Sequence, residues 1–271
     1  MPELPEVEIT RRGVEPLVVG RTICRVVLRT EKLRWPLDPE LQVLLDGQAI
    51  RAVSRRAKYL LFHLEQGGLL LHLGMSGHLR VVDDSEPAGK HDHVDICFED
   101  GTCLRMTDPR RFGALLWTDG DPSDHPLLAK LGPEPLSEAF DGDLLYRHSR
   151  RRSIAVKAFL LDQKTVVGVG NIYANESLFL ANIRPDRPAG QISLNRYRIL
   201  AAAIDRVLRL ALEAGGTTLA DFRQVDGRPG YFRQQLQVYG RAGSPCLTCG
   251  HKIVVVQQNQ RSTFFCRHCQ R

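Results

Sequence analysis

The sequence predicts an α+β protein in two parts, a β-sandwich with one helix packed on it and then a helical region that ends in a small cysteine-bearing module. Three observations predict this. Eight short β-like segments, separated by Gly, Asp and Pro turns, fill residues 21–117. After Leu131 the apolar spacing becomes that of a helix. Two close cysteine pairs, Cys246/Cys249 and Cys266/Cys269, stand near the C-terminus.

From Glu3 to Val18, residues Leu4, Val7, Val14, Leu17 and Val18 keep helical spacing, and Gly20 ends the run. Strands are expected at Arg21–Arg29, Ala49–Arg55, Tyr59–Glu65, Leu69–Leu73, His78–Val82, His93–Glu99, Thr102–Met106 and Phe112–Trp117. So many short strands at close spacing make a sandwich or flattened barrel. Gly132-Pro133-Glu134-Pro135 marks a boundary. The expected domains are residues 1–131, a linker at 132–148, a helical domain at 149–236 and the cysteine module at 237–271. Helices are expected at Ser149–Leu161, Asn171–Leu180 and Ser193–Ala214, with a shorter turn at Leu219–Val225.

The chain has 271 residues, 43% hydrophobic and 25% charged, values of a globular protein of about two domains. It has no apolar run long enough to span a bilayer, and three Glu in the first eight residues do not make a signal peptide. The expectation is a cytoplasmic monomer with no membrane partner. Residues 1–131 carry 17 Lys and Arg against 20 Asp and Glu, whereas residues 132–271 carry 20 against 11. The basic second half suits a polyanion. Cys24, Cys97 and Cys103 stand among apolar, strand-like residues and read as buried free thiols.

Cys246-x-x-Cys249, sixteen residues, then Cys266-x-x-Cys269 has the spacing of a four-cysteine zinc ribbon around a strand-turn-strand. Four thiolates close the shell of one Zn2+, so the metal is expected to be structural. His63 and Glu65 with Cys246 and Cys249 fit the loose letters of zinc nucleobase deaminases, but the second cysteine pair removes the open position that catalysis needs. Val167-Gly168-Val169-Gly170 runs into the helix at Asn171, a phosphate-binding arrangement. Lys58, between Arg55-Arg56 and the run from Tyr59, reads equally as a lysine snorkelling from a strand end. Asp108-Pro109-Arg110-Arg111-Phe112-Gly113 is a turn with two guanidinium groups and an aromatic, either solvated or able to enter DNA. At the N-terminus, removal of Met1 would leave Pro2 as a secondary amine, and an α-amino group titrates near ~8, so part of it is nucleophilic at neutral pH.

These motifs, with Arg56-Ala57-Lys58-Tyr59-Leu60 and His72-Leu73-Gly74-Met75-Ser76-Gly77, resemble the bacterial formamidopyrimidine-DNA glycosylases over nearly the whole chain. The resemblance implies a β-sandwich carrying the Pro2 helix, then a helix–two-turns–helix domain with the zinc ribbon, and damaged double-stranded DNA in the cleft between. It implies that Pro2 attacks C1′, Glu3 shuttles protons, Lys58 assists near the sugar and phosphate, and Arg261 grips phosphates. It further implies DNA contacts from His91, Arg110, Arg152 and Asn171. Met75, Arg110 and Phe112 match the trio that fills the space of the flipped base. The implied activity is excision of oxidised purines followed by lyase cleavage, with no organic cofactor; endonuclease VIII-like relatives favour oxidised pyrimidines, and a non-catalytic zinc-ribbon DNA binder is the other class of reading. The base-recognition loop is expected near Gly216–Arg223.

Overall fold

The structure is a computed structural model that describes residues 2–217 and 232–271. The chain divides into two compact units, Met1–Ala129 with Ala214–Tyr231, and Lys130–Glu213 with Phe232–Arg271.

In the first unit, helix α1 (Leu4–Val18) precedes strands β1 (Ile23–Leu28), β2 (Ala52–Arg56), β3 (Tyr59–His63), β4 (Gly68–His72), β5 (His78–Asp83), β6 (Asp92–Phe98), β7 (Thr102–Thr107) and β8 (Ala114–Thr118). The strands form two antiparallel sheets, ordered β1-β6-β7-β5 and β2-β3-β4-β8. Alternation puts Val94, Ile96, Phe98 and Leu104 of the first sheet into one core with Leu60, Phe62, Leu69 and Leu71 of the second. Val7, Val14 and Val18 of α1 join the same core, so the helix is held by buried apolar area at about 1.5–3 kcal/mol per fully buried side chain. A short helix α2 (Leu41–Leu45), with Leu41 and Leu45 buried, has too few turns to show a periodicity in sequence.

Strand β6 is buried at all seven positions, which simple alternation does not predict. Its outer-face Asp95 lies against Arg105 of β7, itself 1% exposed, through bonds of 2.8 and 2.9 Å. Arg29 adds a 2.6 Å bond to Asp95, and Arg105 also donates to the carbonyls of Glu86 and Pro87. Burial pushes the Asp95 carboxyl up, but the hydrogen bonds and charges of Arg105 and Arg29 outweigh it and hold the group below the usual carboxylate range.

The cysteine reading is corrected in two ways. Cys97 and Cys103, directly opposite on β6 and β7, are joined as a disulfide, and Cys24 is exposed. Spacing along one chain does not reveal that two strands bring their thiols face to face.

In the second unit, α3 (Gly142–Ser149), α4 (Val156–Leu161), α5 (Asn171–Leu180) and α6 (Leu194–Glu213) pack around Phe159, Tyr173, Tyr197, Leu200 and Leu208. Of the helix expected over Ser149–Leu161 only Val156–Leu161 forms, as α4; Ser149 is the last residue of α3, which lies within the stretch expected as linker. The chain leaves α3 at Ser149, Arg151 takes a left-handed φ of 62°, and the helix resumes at Val156. Arg150 fixes the break by stacking 3.8 Å over the Tyr146 ring and donating to the carbonyl of Ile192. Three arginines favour helix locally, which is why the sequence hides it. Helix α3 begins at Gly142, capped by the Asp141 carboxylate on the Leu144 N–H. The hairpin of β9 (Val254–Gln258) and β10 (Arg261–Phe265) completes the unit. The turn expected at Leu219–Val225 lies outside the described residues.

Removing Arg105 leaves Asp95 buried without its main partner. Arg105→Ala is therefore expected to cost about 3–5 kcal/mol, the range for breaking a buried ion pair, read as a lower urea midpoint of the first unit. An unchanged midpoint would show that the network adds no stability.

Candidate functional site

The start of α1 is built on Glu6. Pro5 in the first turn of α1 needs no N–H partner, and Glu3 is the N-cap in extended geometry. Glu6 Oε2 accepts the Glu3 N–H at 2.8 Å, and its Oε1 accepts the Thr217 N–H at 2.8 Å. Glu3 and Glu6 are each 2% exposed, and Pro2 is buried. One carboxylate thus fixes the residue after Pro2 and the start of the segment where the base-recognition loop is expected. That loop lies outside the described residues from position 218 onward.

Lys58 sits with Ala57 in the two-residue turn between β2 and β3, where Ala57 has a φ of 55°. Lys58 is 8% exposed. Across the sheet Tyr59 pairs with His72, ring centroids 4.9 Å apart. His72 Nδ1 accepts the Gly74 N–H at 2.9 Å, which leaves the proton of the neutral ring on Nε2 as a donor. Burial, and then the positive charges of Lys58 and Arg34, push the His72 pKa down to about 4. The ring is neutral at neutral pH.

Met75 and Phe112 stand on two loops that one buried residue organises. Asp108 Oδ1 accepts the Ser76 hydroxyl at 2.9 Å and the Arg110 N–H at 3.3 Å, and Oδ2 accepts the Gly113 N–H at 2.7 Å. Its own N–H donates to the carbonyl of His91, and its carbonyl accepts from His93 Nε2. Gly74, at a φ of 65°, lets the loops touch, because a Cβ there would lie 2.4 Å from the Phe112 carbonyl carbon and the Gly113 nitrogen. Phe112 is 46% exposed and Arg110 packs over its ring at 5.0 Å. A groove beside them is lined by Leu33, Arg34, His72, Met75, Arg111 and Phe112. Pro2, Glu3, Lys58, Met75, His91, Arg110 and Phe112 therefore all belong to the first unit.

In the second unit the ribbon hairpin is pinned to the helices. Asn259 and Gln260 form a two-residue turn with φ of 48° and 60°, and Arg261 follows it, exposed, at the tip. Lys157 of α4, 1% exposed, donates to the Ser262 carbonyl and the Thr263 hydroxyl at 3.0 and 2.6 Å. Asn171 Nδ2 donates to the same Ser262 carbonyl at 3.0 Å, and Asn175 Oδ1 accepts the Phe264 N–H. Asn171 Oδ1 is buried and accepts no hydrogen bond among the described residues. Glu176 accepts the N–H groups of Gln237, Val238 and Tyr239, anchoring the segment that leads into the ribbon. Arg152 lies in the loop between α3 and α4, over the Phe159 ring and 3.8 Å from Asp162.

The sulfurs of Cys246, Cys249, Cys266 and Cys269 lie within 4.8 Å of one another, with 3.9 Å between Cys246 and Cys269 and 3.5 Å between Cys249 and Cys266. A tetrahedron with Zn–S bonds of about 2.3 Å has edges near 3.8 Å, so the cluster fits one structural zinc. His63 instead bonds the Ser54 hydroxyl at 2.6 Å, among residues of the first unit.

The sequence reading gave no role to His72, Asp108, Lys157 or Glu176, and to Glu6 only that of a carboxylate suited to a helix N-terminus. Signals existed for some of them. Glu6 stands three residues after an N-cap, and Asp108 precedes a proline in turn position. Lys157 is the lone charge in Val156–Leu161.

Because His72 resists protonation in the folded chain, its contribution to stability is complete above ~6.5 and is lost as pH falls toward 4. Lys58→Met should raise the His72 pKa without restoring its ordinary value, since burial remains; an NMR titration of the ring reads this. An unmoved His72 titration would place the Lys58 ammonium away from the ring.

Residues 1–115 match the Formamidopyrimidine-DNA glycosylase N-terminal domain, residues 131–223 the Formamidopyrimidine-DNA glycosylase H2TH domain, and residues 243–271 the zinc finger found in FPG and IleRS. The chain is 59% identical to the Formamidopyrimidine-DNA glycosylase of Stutzerimonas stutzeri and 58% identical to that of Alkalilimnicola ehrlichii, each aligned over 100% of both chains. Among solved structures it resembles the MutM (Fpg) protein of Thermus thermophilus at 42% identity and a TM-score of 0.88, covering 99% of this chain and 98% of that one. It also resembles the Lactococcus lactis Fpg in complex with DNA containing an abasic site, at 35% identity and a TM-score of 0.90, covering 99% of each chain. Three family models, full-length relatives and the fold agree, and the chain belongs to the formamidopyrimidine-DNA glycosylase family.

Proposed function

We propose that this chain excises oxidised purines, 8-oxoguanine and formamidopyrimidines, from double-stranded DNA and then cleaves the strand as a lyase. The observation that supports this most directly is the buried helix start, where Glu6 holds the residue next to Pro2 in place. With Met1 removed, the Pro2 nitrogen attacks C1′, the N-glycosidic bond breaks, and the base leaves with a proton. The C1′–O4′ bond then opens as O4′ takes a proton, which leaves an iminium at C1′ that acidifies the C2′ proton. Loss of that proton expels the 3′ phosphate, and a second elimination expels the 5′ phosphate. Glu3 exchanges protons at the sugar, and Lys58 lies near the phosphate and sugar.

Extruding a base costs a few kcal/mol of stacking and pairing. Met75, Arg110 and Phe112 offset that by filling the vacated space, while His91, Arg152, Asn171 and Arg261 hold backbone phosphates. Zinc, when bound, supplies structure alone, orienting the hairpin that carries Arg261. The protein is proposed to act as a single chain in the cytoplasm, on the nucleoid.

The nucleophile is tested by borohydride trapping on an abasic duplex. Protein lacking Met1 should become covalently joined to DNA. Protein shown by mass spectrometry to retain Met1 should not, because its Pro2 nitrogen is an amide whose lone pair is delocalised. Efficient trapping of the Met1-bearing form would move the nucleophile to Lys58. On lesion-bearing duplex, Phe112→Ala and Met75→Ala should slow base removal far more than they slow cleavage at a preformed abasic site, where no base is left to extrude. Equal slowing on both substrates would assign the two side chains to backbone positioning.

A further inference from the structure

The outer face of the β1-β6-β7-β5 sheet carries a second chemical feature, independent of the proposed DNA chemistry. In register across four strands lie Arg25, Cys97, Cys103 and Val82. Neighbouring positions 94, 96 and 98 point into the sandwich core, so Cys97 and Cys103 face the other way, in a small cluster with Val82. Their Cα atoms are 4.0 Å apart and their sulfurs are bonded. Both residues are 1% exposed although, among the described residues, no further strand layer is paired with this sheet. Part of the cover is an ion pair. Arg25 Nη2 lies 3.8 Å from Cys97 Sγ and 3.7 Å from the Asp84 carboxylate, so the pair reaches from β1 to the end of β5, past the strands that carry the sulfurs. Arg25 and Asp84 are about half exposed, and an exposed pair of this kind adds little stability and opens readily.

We propose that Cys97 and Cys103 form a reversible oxidation site, with hydroperoxides as its oxidant and the Arg25–Asp84 pair as its cover. This rests on the cytoplasmic location proposed above, where thiols are kept reduced and a disulfide is a made and broken bond and not a permanent staple. The guanidinium beside Cys97 favours its thiolate, which is the nucleophilic form. The Cys97 thiolate attacks one peroxide oxygen, the O–O bond breaks, and the departing oxygen takes a proton as water or alcohol. Cys97 is then a sulfenic acid. The Cys103 thiolate attacks its sulfur, the S–S bond forms, and hydroxide leaves as water after protonation. The two thiols have given two electrons to the peroxide. Because the cysteines are opposite each other, the bond forms without re-registering the strands. A dithiol reverses it by exchange.

The test uses the full-length, zinc-loaded protein with Cys24→Ser, so that no third thiol competes on this sheet. The protein is reduced, freed of reductant, exposed to hydrogen peroxide, then unfolded and alkylated for peptide mass spectrometry, with released zinc measured in parallel. The expected result is a Cys97–Cys103 linked peptide while zinc is retained, with both thiols recovered by dithiothreitol. With Cys103→Ser in addition, dimedone should mark Cys97. Asp84→Asn should speed oxidation by uncovering Cys97 while leaving the guanidinium in place. Oxidised protein should also melt a few degrees higher than reduced protein. Full alkylation of Cys97 and Cys103 after peroxide that already releases zinc would overturn the site. A bond that dithiothreitol cannot reduce in the folded protein would overturn its reversibility. An unchanged rate in Asp84→Asn would overturn the role of the cover.

Discussion

A buried peptide N–H must find an acceptor, and among the described residues the buried carboxylates of Glu6, Asp108 and Glu176 each accept two or more such donors from irregular segments. Glu6 receives N–H groups from Glu3 and Thr217, Asp108 from Arg110 and Gly113, and Glu176 from Gln237, Val238 and Tyr239. An irregular segment lacks the ladder of partners that a strand or helix supplies internally. A carboxylate with two oxygens can hold several such donors at once, and charge makes each bond stronger than a neutral one. The residues assigned to chemistry and DNA contact largely stand on these segments. The sheets and helices supply rigid ground, and the carboxylates set where the loops rest on it.

The same logic explains what was legible in the sequence. All eight strands of the sandwich and α1 were readable because each repeats its signal over several residues, as in Tyr59–His63 and Leu4–Val18. The zinc ligands were readable because four identical residues at fixed spacing have few other meanings. The break between α3 and α4 was not, since Arg150 and Arg151 have good helix propensity and the stacking on Tyr146 that overrides it is tertiary. The Cys97–Cys103 pairing depends on strand register, which no single strand encodes. Among site residues, those with an unusual local setting, such as Pro2, Arg110 and Phe112, stood out. Glu176 did not, because its partners are the peptide groups of another segment and leave no side-chain motif.

Arg261 illustrates how several weak placements add up to a firm one. Its hairpin is closed by a two-residue turn, its strand β10 is bonded to Lys157, Asn171 and Asn175 from two helices, and its base is drawn together by the four cysteines. The sulfur cluster and the helix contacts act on the same short ribbon from different sides. Metal and helical packing are thus coupled through five residues of strand, and loss of either loosens the other.

The close approach at Gly74 has an evolutionary reading. With a Cβ excluded by the backbone of Phe112 and Gly113, the loop of Met75 and the loop of Phe112 cannot drift apart in sequence independently. The side chains at their tips are open to exchange, since the seam itself is made of backbone. Their spacing is not. Selection can change what the two loops present to a duplex by exchanging tip residues, while an insertion on either side would have to remake the seam itself.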